Sequence, residues 1–157
     1  MSIIYIQTPL GITKIVGDSD GVSEIKVLED NLSISATIPT ELIDAVTQIN
    51  NYFDGHLTVF SIKINPKGTV FQQKVWQELC KIPFGKTLSY LDIAKKIGDP
   101  NSIRAAATAN GKNPLWIVVP CHRVIGSDGS LTGYAGGLWR KKWLLDHEST
   151  CKQQSLF

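Results

Sequence analysis

Leu115-Trp116-Ile117-Val118-Val119-Pro120-Cys121-His122-Arg123-Val124 is the stretch on which the reading of this chain turns. Its first five residues are an apolar run that reads as a buried strand. A thiol, an imidazole and a guanidinium follow at its mouth. Cysteine attacks as the thiolate, and a neighbouring His or Arg raises the thiolate fraction. The same residues also fit a cysteine that merely packs, because free Cys is among the most buried residue types. The flanking sequence has to separate these readings.

Immediately upstream the pattern is helical. Thr69 is placed to cap a helix with Val70, Phe71, Val75, Trp76, Leu79 and Cys80 on its inner face, so Cys80 reads as packing. Ile82-Pro83-Phe84-Gly85 ends it. Ser89 is placed to cap a short helix carrying Tyr90, Ile93, Ala94 and Ile97, closed by Gly98-Asp99-Pro100. A third helix runs from about Ser102 to Asn110. Two short helices joined by a turn, the second opening with Arg104 among small residues, resemble a helix-turn-helix. Downstream, Gly126-Ser127-Asp128-Gly129 reads as the turn of a hairpin or wing. Gly136-Gly137 precedes a last helix with Leu138, Trp143, Leu144 and Leu145 inside and Arg140, Lys141 and Lys142 outside. Glu148 closes that helix beside His147, as a carboxylate to orient His122.

The first 68 residues have a different texture. Ile3–Gln7, Ile12–Val16 and Val22–Leu28 alternate between tight turns, which predicts a three-stranded meander. A helix follows from Glu41, with Leu42, Ile43, Val46, Ile49 and Phe53 at helical spacing. Leu57–Ile64 reads as one more strand, and Asn65-Pro66-Lys67-Gly68 as a boundary. Two subdomains, 1–68 and 69–157, are therefore expected, in an α+β fold.

Composition sets outer limits. At 157 residues there is room for one compact domain or two small ones. With 43% hydrophobic and 19% charged residues the chain falls among ordinary soluble globular proteins. No apolar run nears the roughly 18–20 residues of a membrane span, and no signal peptide is visible. Three widely spaced cysteines, Cys80, Cys121 and Cys151, fit free thiols in a reducing cytoplasm. The net charge of +2 hides a split of −4 over residues 1–68 and +6 over residues 69–157. A basic half with positives around helical segments points to a polyanion such as nucleic acid. Local chemistry alone fits a cysteine hydrolase and a transferase alike.

A family likeness separates them. Asn113-Pro114, Pro120-Cys121-His122-Arg123-Val124 and Gly133-Tyr134-Ala135-Gly136-Gly137 resemble, in order, the active-site signature of the O6-alkylguanine-DNA alkyltransferases, also called methylated-DNA–protein-cysteine methyltransferases. The likeness runs from Phe71-Gln72 through Phe84-Gly85, Ser89-Tyr90 and Arg104 to Trp143-Leu144-Leu145-Asp146-His147-Glu148. It implies a ribonuclease-H-like N-terminal subdomain and a C-terminal alkyltransferase domain built around a winged helix-turn-helix.

The resemblance further implies a monomer that binds double-stranded DNA through the minor groove and flips the damaged guanine out of the stack. Cys121 would then take the alkyl group irreversibly, once per molecule, with O4-alkylthymine left open as a second substrate. By the same likeness His122 is the base, Glu148 its orienter, Tyr90 the donor to guanine N3 and Asn113 a shaper of the active-site turn. Arg104 is the finger that fills the stack, with Ser102, Ala105, Arg123 and Ser127 also on the DNA-binding side, Arg123 chiefly pinning the turn. The carbonyls of Cys121 and Val124 read the guanine amino group, and Tyr134, Ala135 and Lys141 line the pocket. No cofactor and no metal is implied, since residues 1–68 hold no Cys and a single His, His56. Ala135 departs from the serine of many members, and Ala107 and Thr108 from their glycines.

Overall fold

The computed structural model describes residues 1–157 apart from 30, 31, 132, 133, 135 and 155–157, and the side chains of 150–154. The chain forms two compact units. The first comprises Met1–Lys67 together with Pro114–Val118, the second Gly68–Asn113 with Val119–Phe157. The sequence reading had divided the chain once, at 68/69, whereas five residues from the middle of the second half lie in the first unit.

In the first unit, β1 (Ser2–Thr8), β2 (Gly11–Asp18) and β3 (Gly21–Val27) form an antiparallel meander in the order β1-β2-β3. The alternation of the sequence becomes one buried face, with Ile4, Ile6, Ile15, Val22 and Ile25 inside. A single helical turn, Thr40–Leu42, leads into α1 (Ile43–Phe53), which buries Val46, Ile49 and Tyr52.

The fourth strand expected at Leu57–Ile64 does not form. Only Ile64 makes a bridge, to Val22. The reason lies on α1: the Gln48 side chain accepts the backbone N–H of Ser61 at 2.9 Å and donates to its hydroxyl at 3.1 Å. A side chain thus satisfies backbone that a strand neighbour would otherwise have to pair. The apolar run Leu115–Val119 is not a strand either. Leu115 makes one parallel bridge to Ile25, after which Val118 N–H donates to Trp116 C=O at 2.9 Å and the chain turns through Ile117 at φ 72°. A fully apolar run carries no period, so buried turn and buried strand look alike in sequence.

In the second unit, α2 (Val70–Cys80) opens on a capping box: Thr69 Oγ1 accepts from Gln72 N–H at 3.1 Å and Gln72 Oε1 accepts from Thr69 N–H at 2.9 Å. Val75, Trp76 and Leu79 are its buried stripe. Val70 and Cys80, expected on that stripe, are exposed, because they stand at the two ends of the helix, beyond the packed middle. Trp76 Nε1 donates to Ala109 C=O at 2.9 Å, and its ring lies so close to Gly68 that a Cβ there would meet Cη2 at 2.4 Å.

The two-residue strand β4 (Leu88–Ser89) runs into α3 (Tyr90–Lys96), again through a capping box, between Ser89 and Asp92. A turn at Pro100–Ser102 precedes α4 (Ile103–Gly111). β5 (Val124–Ile125) pairs parallel to β4, Leu88 with Val124 and Ser89 with Ile125. At the hairpin or wing expected after it, Gly126 N–H donates to Ser130 C=O at 2.8 Å and closes the turn, while 132 and 133 beyond it lie outside the described residues. The unit ends in α5 (Leu138–Gln154). Among the described residues, no helix is long and apolar enough to cross a membrane.

Candidate active site

Cys121 opens a single 3-10 turn, Cys121–Arg123, between Pro120 and β5. All three side chains are buried, Cys121 at 7% exposure and His122 at 0%. Pairing of β5 with β4 ties this turn to the start of α3, which brings Tyr90 into the same neighbourhood. Two asparagines hold the backbone around the thiol. Asn113 Nδ2 donates to Val119 C=O at 2.7 Å, and the buried Asn110 donates to Cys121 C=O at 3.4 Å.

Behind the thiol lies a carboxylate with a full set of donors. Glu148 Oε2 is 2.7 Å from His122 Nε2. Arg123 grips the same carboxylate as a fork, Nε to Oε1 at 2.8 Å and Nη2 to Oε2 at 3.0 Å, while its Nη1 donates to Ile82 C=O at 2.7 Å. Gly85 N–H adds a longer contact to Oε1 at 3.5 Å. Burial works to raise the Glu148 pKa, but His122 and Arg123 outweigh it and hold the carboxyl well below the usual range. The anionic carboxylate fixes the tautomer: Nε2 carries the proton and Nδ1 is left as the basic nitrogen. Nδ1 is buried and has no hydrogen-bond partner among the described residues.

Burial pushes the Cys121 thiol up, against the opposing influence of Asn113, Tyr134 and the Lys141 ammonium. Burial pushes His122 down, against the pull of Glu148. At rest the pair is therefore a neutral thiol near a neutral imidazole. His122 Nδ1 is unprotonated, and neither group carries a charge.

Lys141, which the helical pattern puts on the outer face of α5 and the family likeness puts at the pocket, is fully buried, its ammonium 5.7 Å from the Tyr90 ring centroid and 5.9 Å from that of Tyr134. Arg140, also expected outside, is 5% exposed and donates through Nη1 to Gly136 C=O at 2.8 Å. Their heads find aromatic faces and a carbonyl, so burial leaves neither cation stranded. Leu138, expected inside, is half exposed.

The remaining expected residues separate into two groups. Arg104 and Ala105 are exposed on α4, with Ser102 half-buried just before it, and Ser127 is exposed at the turn after β5. Arg123 departs from the DNA-facing set, because its donors are consumed inside by Glu148 and Ile82. Val124 is fully buried directly after the turn. Ala135 lies outside the described residues.

Residues 70–150 match the family described as the 6-O-methylguanine DNA methyltransferase, DNA binding domain. The methylated-DNA–protein-cysteine methyltransferase of Mycobacterium tuberculosis is 44% identical over 149 residues, which cover 92% of this chain and 90% of the relative. The chain belongs to the O6-methylguanine-DNA methyltransferase family. The Methanosarcina barkeri member is 43% identical over 150 residues, covering 91% of this chain and 94% of its own. The crystal structure of the Mycobacterium tuberculosis OGT in complex with DNA superposes with a TM-score of 0.86 at 43% identity, covering 95% of this chain and 93% of that one. This mixed α and β chain, with a small antiparallel sheet and five α-helices among the described residues, thus shares the methyltransferase fold.

The methyltransferase signature in the sequence did not reveal the Arg123–Glu148 fork or the Gly85 contact. The two partners of the fork stand 25 residues apart with no shared local pattern. The one available signal was chemical, an Arg next to a His that both need a carboxylate.

Proposed function

We propose that this chain is a DNA repair methyltransferase that moves the alkyl group of O6-alkylguanine in DNA onto Sγ of Cys121, once per molecule. The observation that carries this is the buried Cys121 in one turn with a His122 whose Nε2 is 2.7 Å from Glu148, in a member of this family. In the step proposed, the thiol proton passes through a water to His122 Nδ1, and Glu148 steadies the imidazolium. Sγ attacks the alkyl carbon in line. The S–C bond forms, the C–O6 bond breaks, and the electron pair withdraws into the guanine ring. Tyr90 donates toward N3 to offset that charge, and Lys141, at the rings of Tyr90 and Tyr134, adds a fixed positive field. A thioether offers no leaving-group route back to thiolate, so the product is permanent.

DNA is the partner that the basic half and α3–α4 support. In this reading α4 enters the minor groove, Arg104 takes the place of the extruded base, and the protein acts as a monomer. Base extrusion is required because the O6 alkyl carbon is out of reach in the stack, at a cost of a few kcal/mol. The test is an intact mass after mixing the protein with a duplex carrying one O6-methylguanine. One added methyl is expected, mapped to Cys121 and not to Cys80 or Cys151, with no turnover beyond one equivalent. Unmodified protein that nevertheless binds the duplex overturns the proposal.

A further inference from the structure

Arg140 and Trp139 open α5, on the side where the chain leaves the pocket wall. Arg140 reaches back to Gly136 C=O at 2.8 Å, and its guanidinium carbon sits over the Trp139 indole, 4.5 Å from the ring centroid. The Gly136 backbone is pressed between two side chains: a Cβ there would stand 3.1 Å from Tyr134 Cε2 and 3.5 Å from Arg140 Cδ. Gly137, at φ 92°, turns the chain into the helix, and its N–H donates to Tyr134 C=O at 3.0 Å. The result is a row of neighbours from Trp139 through Arg140 and the Gly136 backbone to the Tyr134 ring. The inner end of that row carries a buried hydroxyl and has the Lys141 ammonium 5.9 Å from its ring centroid. Its outer end, Trp139, is 56% exposed.

An indole this exposed gains little from burial, and an arginine this buried costs solvation unless its donors are used. The arrangement makes sense as a brace. The guanidinium donates to a carbonyl while its carbon sits over an aromatic ring, a pairing of roles that a lysine ammonium does not reproduce. Arg140 stands one residue before the buried Lys141, whose ammonium is 5.9 Å from the Tyr134 ring centroid.

Resting on the alkyl-transfer reading above, we propose that Arg140, clamped by Trp139, is a positioning residue that holds Tyr134 against the Cys121 pocket and thereby sets the pocket's preference for small over bulky O6 substituents. A methyl group makes few contacts of its own, so its in-line geometry depends on a fixed wall. A benzyl group brings its own contacts and tolerates a wall that gives way.

The experiment compares second-order rate constants for Cys121 labelling by two duplexes of one sequence, carrying O6-methylguanine or O6-benzylguanine. Arg140→Met is expected to slow methyl transfer about tenfold while benzyl transfer changes by less than about threefold, raising the benzyl-to-methyl ratio. Arg140→Lys, which keeps a donor for Gly136, is expected to recover part of the methyl rate. Trp139→Ala, at an exposed site where folding is safe, is expected to move the ratio the same way by about threefold. A ratio unchanged in Trp139→Ala and Arg140→Met, or equal losses for both lesions, overturns the proposal and leaves Arg140 a purely structural role. Wild-type protein that labels with neither lesion overturns the alkyl-transfer reading itself, and this proposal with it.

Discussion

Arg123 and Glu148 form a two-pronged ion pair inside the protein, Nε to Oε1 at 2.8 Å and Nη2 to Oε2 at 3.0 Å, and His122 shares one of the same oxygens at 2.7 Å. The carboxylate therefore serves two masters. It neutralises a buried guanidinium, and it fixes which imidazole nitrogen faces the chemistry.

Replacing that carboxylate separates the two roles. Glu148→Gln leaves the Arg123 guanidinium buried without a counter-charge, so a loss of about 3–5 kcal/mol in unfolding free energy is expected in a urea titration. In the protein that stays folded, labelling of Cys121 by free O6-benzylguanine is expected to slow about a hundredfold. An unaltered rate would remove Glu148 from the proton relay and leave only its structural part.

The acid side of the pH profile follows from the directions of the shifts. His122 has a folded pKa below its unfolded value of about 6.5. It stays a neutral base from pH 7 down past that value, so the labelling rate is expected to hold there and to fall only at lower pH. Stability moves the same way. Between the two His122 values the unfolded chain binds the extra proton, so stability begins to drop as pH falls through about 6.5. Glu148, with a depressed folded pKa, contributes stability that is present above its unfolded value of about 4.3 and is lost below it. Because the two groups share a hydrogen bond, the steps belong to the pair. A rate that falls with a midpoint above 6.5 would contradict the burial of His122.

Tyr90 is half-buried at the start of α3, with Lys141 at its ring. Tyr90→Phe keeps the ring and removes the donor. Transfer from a methylated duplex is expected to slow about a hundredfold with duplex affinity unchanged. Parallel loss of affinity and rate would mean that the phenol supports DNA binding and not the leaving base.

Arg104 stands exposed on α4. Arg104→Ala is expected to slow repair within a duplex about tenfold or more while labelling by free O6-benzylguanine, which needs no base extrusion, stays within about twofold. Equal losses in both assays would assign Arg104 to the fold.

Gly68 tests the fold beneath the site. A methyl group there would collide with the Trp76 ring at 2.4 Å, and Trp76 is bonded to α4 through Ala109. Gly68→Ala is expected to cost about 1–3 kcal/mol, read from urea unfolding, with a change in Trp fluorescence as the indole moves. Unchanged stability would show that the ring swings aside freely.

What could be seen in the sequence is what short-range chemistry dictates. Thr69 announced the start of α2 and Ser89 that of α3, and the alternation in the first 28 residues announced the meander. Where distant residues decide, the signal disappears. Gln48 captures Ser61 from 13 residues away, where the sequence reads as one more strand. Arg140 looks outward-facing by residue type, and only the Gly136 carbonyl and the Trp139 ring explain its burial. The motif around Cys121 located the thiol and the imidazole; the fork that anchors Glu148 needed the folded chain.

The burial of Cys121 bears on how such a molecule lasts. A protein that reacts once is a stored reagent, and a stored reagent must not spoil. With a thiol at 7% exposure, held protonated by its surroundings, oxidants and stray electrophiles meet the less reactive form behind a wall of side chains. Nucleophilicity is called up only when a guest fills the pocket and the proton has somewhere to go. The same cover that handicaps the nucleophile gives it a shelf life.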